Sequence, residues 1–165
     1  MSSQGDKDML ETMNMLGTLR LLGRTPDGRI VLDRRHANRI VKAGRQLVAQ
    51  RFAGVPGRPP AVVSHMAVGT GADAATDDQA ALVAERARNP VAAPVYTEIV
   101  DAGVKRIKVS LQTVFDFGEA NGTEPLREAG IFTAAAGGTM YNRVVFDAVT
   151  KANTFKLTLI WDIVF

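Results

Sequence analysis

The stretch Thr154-Phe155-Lys156-Leu157-Thr158-Leu159-Ile160-Trp161-Asp162-Ile163-Val164-Phe165 decides the fold class. Phe155, Leu157, Leu159, Trp161, Ile163 and Phe165 alternate with Lys156, Thr158, Ile160, Asp162 and Val164. Successive side chains of a strand point to opposite faces, so a period of two gives one apolar face and one mixed face. A helix would scatter the same apolar residues around its axis. Val104 to Phe117 repeats the pattern. Ile107, Val109, Leu111, Thr113, Phe115 and Phe117 fall on one side, and Arg106, Lys108, Ser110, Gln112 and Asp116 on the other. Long strands with one apolar face predict antiparallel sheets that bury those faces against each other.

Working outward, further strands are expected at Ala61 to Val68, Val91 to Val100, Leu126 to Ala134 and Thr139 to Phe146. They are punctuated by Asp101-Ala102-Gly103, Asn121-Gly122 and an Ala-Gly-Gly loop. A long amphipathic helix is predicted over 34–53, with Asp33 as N-cap and Gly54 as stop. Ala37, Ile40, Val41, Gly44, Leu47 and Val48 would form its apolar face, and Arg34, Arg35, Arg39, Lys42 and Arg45 a basic one. The Pro-rich stretch Val55 to Pro60 ends it. Thr76-x-x-Gln79 has the form of a capping box and predicts a short second helix from Asp77 to about Ala87.

Residues 1–33 read as an extended N-terminal arm, with 34–165 as the sandwich domain. Within the arm, Met9, Leu10, Met13 and Leu16 have helical spacing, and Thr25-Pro26-Asp27-Gly28 is a turn that Leu19–Leu22 and Ile30–Leu32 can flank as a hairpin. The fold class expected is mainly β: an antiparallel, jelly-roll-like β-sandwich with the long helix, the short helix and the arm.

The 165 residues suit one domain with a real core, and 46% apolar content excludes a disordered chain. There is no cysteine, so disulfides, thiolate metal sites and cysteine nucleophiles are excluded. No apolar run approaches the roughly 20 residues that span a bilayer. Met1 to Lys7 lacks the basic-then-apolar order of a signal peptide, so a soluble protein of a reducing compartment, without membrane association, is expected. The net charge of +3 is only mildly basic and is read as solubility.

Catalysis needs convergent ionisable groups, and the sequence offers few. The two histidines, His36 and His65, have no partner at ligand spacing. Asp77-Asp78 suits a helix N-terminus, and Glu124 with Glu128 is read as a solvated pair at a strand start. Gly69-Thr70-Gly71 lacks the Gly-Lys-Ser/Thr of a phosphate loop, and no serine lies in Gly-x-Ser-x-Gly. No catalytic residue, cofactor or metal site is therefore expected. The basic stripe could neutralise phosphates, but no aromatic is interleaved with it, so nucleic-acid binding ranks below a solvated or subunit-facing surface.

The order of short motifs resembles a known group. His65-Met66-Ala67-Val68-Gly69-Thr70-Gly71 is followed by Leu82-x-x-Glu85-x-x-Arg88. Then come Leu126-Arg127-Glu128-Ala129-Gly130-Ile131-Phe132, Gly137-Gly138-Thr139-Met140, Arg143 and Val149-Thr150-Lys151. Over roughly residues 35 to 165 this is similar to tailed-bacteriophage virion proteins: small tail or baseplate subunits and the attachment domains of tail-collar-type fibres. The resemblance implies a non-enzymatic structural subunit in the virion, a fibre or baseplate connector. A capsid decoration protein is the alternative. Its partners would be copies of itself, a trimer being the first expectation, and other virion proteins. Few charges or prolines guard Thr154 to Phe165, so an edge there would need cover. Met9, Leu10, Met13 and Leu16 of the arm, with Arg35, Arg39 and Lys42, are the candidate interface residues.

Overall fold

The computed structural model describes residues 15–165. It forms two five-stranded antiparallel sheets that share one core. The first contains β1 (Leu16–Arg24), β2 (Ile30–Ala37), β6 (Val95–Asp101), β7 (Val104–Phe115) and β10 (Lys156–Val164). Their order is β2-β1-β10-β7-β6. The second contains β3 (Arg39–Ile40), β4 (His65–Gly69), β5 (Glu85–Pro90), β8 (Leu126–Phe132) and β9 (Met140–Val149), in the order β3-β9-β8-β4-β5. One helix, α1 (Lys42–Ala53), lies against β9.

The alternation read from the sequence sets the core. Leu157, Leu159, Trp161 and Ile163 of β10 are buried beside Leu111, Thr113 and Phe115 of β7. The register places Leu159 opposite Thr113 and Trp161 opposite Leu111. From the second sheet, Met66, Val68, Ala129, Ile131, Tyr141 and Phe146 pack into the same cluster. Burying one apolar face of each sheet stabilises by about 25 cal/mol per Å² of apolar surface removed from water.

Several expectations need correction. The helix over 34–53 starts only at Lys42, and its buried residues are Gly44 and Leu47 alone. Asp33 is not its cap. It lies on β2, where its carboxylate accepts two hydrogen bonds from Arg20 on β1, at 2.8 and 2.7 Å. Pairing with β1 over Thr18↔Ala37 to Arg24↔Ile30 holds this segment extended, and such tertiary pairing outweighs a weak helical spacing. The short helix over 77–87 is absent, although half its capping box forms: the Thr76 amide donates to Gln79 Oε1 at 2.9 Å. Its last residues, from Glu85 on, belong to strand β5, bonded to β4 from His65↔Pro90 to Gly69↔Glu85.

Residues 16–33 are not an arm. Leu19 and Leu21 are fully buried, because β1 sits between β2 and β10 in the interior of its sheet. The hairpin around Thr25–Gly28 does form. Strand β10 is likewise central, so it presents no edge to protect. The pairs β1–β2, β6–β7 and β8–β9 are hairpins inside one sheet, so consecutive strands do not alternate between sheets as a jelly roll requires.

Candidate functional site

Several of the quoted motifs meet at one place, the outer face of the second sheet. Glu128 of β8 and Arg143 of β9 are fully buried there, with Arg143 Nε donating to Glu128 Oε2 at 2.8 Å. Glu128 Oε1 accepts from the Gly71 and Ala84 amides at 3.0 and 2.7 Å, and Oε2 accepts from the Val83 amide at 3.0 Å. Arg143 Nη1 donates to the Asp73 carbonyl at 2.8 Å and to Gln79 Oε1 at 3.2 Å. The pair thus clamps loop 70–84 onto the sheet. Below it, Leu82, Val41, Ala67, Phe132 and Met140 make a second small core. The reading of Glu128 as a solvated partner of Glu124 is overturned by this burial. With all four Glu128 bonds internal and loop cover complete, the site is a staple and offers no access to a substrate.

Glu85 and Arg88 do pair, at 2.6 and 2.8 Å, but on β5 instead of a helix. Arg88 also lies over the Phe132 ring, 3.7 Å from its centroid, and donates to the Ala134 and Gly137 carbonyls. Lys151 is a similar internal tie. Its buried ammonium donates to the Asp116 and Ala152 carbonyls at 3.0 Å and to Asn121 Oδ1 at 2.9 Å. Burial pushes its pKa below the usual lysine value, against the pull of Asp116 and Glu119.

The candidate interface residues among those described lie on separate elements. Met9, Leu10 and Met13 lie outside the described residues. Leu16 opens β1 and is half exposed. Arg35 is on edge strand β2, Arg39 on β3 and Lys42 at the start of α1. Arg39 Nη1 donates to the Ala75 carbonyl. The basic helix face therefore does not exist as a stripe. Three of its five members surround one carboxylate: Arg45 donates to both Asp77 oxygens at 3.0 and 2.7 Å, and with Arg39 and Lys42 it holds Asp77 below the usual carboxylate range, while Arg34 and Arg35 lie on β2. Among the described residues no three acidic or histidine side chains gather as a metal site.

What the sequence did not reveal is an open end of the sandwich. Strand β10 pairs with β7 as far as Val164↔Lys108, and Phe165 exchanges two more backbone hydrogen bonds with Ile107, so the β6–β7 hairpin projects beyond the sheet past Ile107. Its core-side face carries Tyr96, Val100 and Ile107, with exposures of 70, 69 and 45%. Beside it opens a groove of about 570 Å³, walled by Leu47, Val48 and Arg51 of α1, Val62 of the connector, Ile107 and Val109 of β7, and Phe165. Helix α1 reaches its place through Gly44. A Cβ there would lie 2.0 Å from the Tyr141 carbonyl oxygen, so only glycine allows this approach. Tyr141 lines the groove, and its hydroxyl is buried with no hydrogen-bond partner among the described residues. Burial raises its pKa to about 12.

Comparison with known proteins adds no likeness: no family model, no curated protein and no solved structure matches the chain.

Proposed function

We propose that this chain is a non-enzymatic structural subunit of a bacteriophage virion, a connector at the tail fibre or baseplate that assembles with copies of itself. The observation that supports this reading is the open end. Tyr96, Val100, Val104 and Ile107 on the projecting hairpin, and Phe52 at 94% exposure on the last turn of α1, are large apolar groups left in water. Val104 faces the side opposite Ile107, and the Glu98–Lys105 pair lies among Tyr96, Val100 and Ile107, so the exposed apolar groups form a broken patch, which a protein partner can cover. The groove beside it is lined mainly by carbon, with Tyr96, Tyr141 and Arg51 as its polar side chains, which suits packing. A closed ring of subunits, a trimer first, would cover each open end with a neighbour.

Sedimentation of the purified protein and immunogold labelling of intact particles test this together. A three-subunit mass and labels at the tail are expected. Labels spread over the capsid would favour a decoration protein. A monomer at micromolar concentration, absent from particles, would overturn the reading.

A further inference from the structure

We propose that the groove at the open end is the seat for segment Met9–Met13 of a second copy of this chain. The inference rests on the assembly reading above and names the contact through which assembly occurs. Its first support is where the undescribed chain begins. Leu16 pairs with Val164, and the neighbouring Phe165 exchanges backbone hydrogen bonds with Ile107, so residues 1–14 join the sheet at its groove end.

The second support is chemical fit. Met9, Leu10 and Met13 are spaced to share one side of a helical turn, and unbranched methionines fill irregular apolar spaces. The groove volume lies within the range of sites that hold a few side chains. Charge agrees as well. Asp8 and Glu11 flank the apolar residues, and Arg51 stands on the groove wall.

A second copy is the donor that agrees with assembly from identical subunits, where exchange of one segment closes a symmetric contact, and the cross-linking test below separates it from docking within one chain.

The absence of cysteine makes the test clean. Met13→Cys and Val62→Cys are made as separate full-length proteins, mixed and mildly oxidised. Val62 is 56% exposed on the groove, so its thiol is accessible without disturbing the core. Thr25→Cys, at the far end of β1, serves as the collision control. The groove pair should yield at least about tenfold more mixed dimer than Met13→Cys with Thr25→Cys, because docking raises the local thiol concentration. Equal yields from a protein that still sediments as an oligomer would sink this inference and leave the assembly reading standing. A cross-link confined within single chains of the double variant would assign the groove to the chain's own segment and overturn the exchange. A monomer that forms neither product would overturn both readings.

Discussion

Replacing Arg143 by methionine isolates the tie between the second sheet and loop 70–84. The substitution keeps bulk and removes the charge opposite Glu128, whose carboxylate is left fully buried with only the Gly71, Val83 and Ala84 amides. Removing one member of a buried pair costs about 3–5 kcal/mol. Loss of the bonds to Asp73 and Gln79 adds little, since those loop groups regain water. A loss of about 4 kcal/mol is a large part of the roughly 5–15 kcal/mol that stabilises a domain. The second variant, Glu128→Gln with Arg143→Met, removes the stranded charge. The glutamine carbonyl can still accept from Gly71 and Ala84, and only the Val83 amide loses its acceptor, at about 1–3 kcal/mol. The double variant should therefore be more stable than Arg143→Met alone. Guanidinium unfolding followed by Trp161 fluorescence measures both. A loss below about 1 kcal/mol for Arg143→Met, or a double variant worse than the single, would refute the clamp.

Trp161 is fully buried and its indole N–H donates to Asn38 Oδ1 at 2.8 Å, so Trp161→Ala should cost about 3–5 kcal/mol in the same unfolding assay. Gly44→Ala drives a methyl group onto the Tyr141 carbonyl and should lower stability by about 1–3 kcal/mol; an unchanged midpoint would show that α1 is free to shift. In a Tyr96→Phe variant, ultraviolet titration should show the remaining tyrosine, Tyr141, ionising near 12. Because its folded pKa lies above the unfolded value of 10.0, this stabilisation is intact below pH 10 and is lost as pH rises toward 12. A midpoint near 10 would mean that water reaches the hydroxyl. Replacing Arg35, Arg39 and Lys42 together by glutamine should leave duplex DNA affinity at a weak, salt-sensitive background in gel-shift titrations; tight wild-type binding lost in the triple variant would revive the nucleic-acid reading.

Strands β7 and β10 were legible because each is half-buried along most of its length, so period-two alternation survives in the sequence. Strand β5 was hidden because Glu85, Arg86 and Arg88 are used for tertiary ties and give it no apolar face. Strand β2 was legible only at Ile30–Leu32, as one arm of the hairpin; the rest was hidden because it is an edge, with most side chains in water. There the chance spacing of Ala37, Ile40 and Val41 extended the helix too far. Gly17, which breaks the helical spacing of the first residues, has its reason in space. The Asn38 side chain crosses β1 over it to reach Trp161, and a Cβ at Gly17 would lie 1.9 Å from Asn38 Oδ1. Glu128 and Arg143 could be singled out as charges inside apolar strands, but their pairing is a register fact. The groove is harder still. Its walls read as ordinary core positions, and nothing in a periodicity tells which core face a fold leaves uncovered.

The position of β10 between β1 and β7 carries a consequence for synthesis on the ribosome. Until residues 156–164 emerge, the β1–β2 and β6–β7 hairpins have no strand between them and present two unpaired inner edges. The first sheet thus closes by a zipper whose last tooth is made late, across almost the full length of the described chain. Such long-range closure is slow and exposes the nascent chain to mispairing. Holdase binding to the unfinished chain, and intolerance of C-terminal truncation into β10, follow from this one placement.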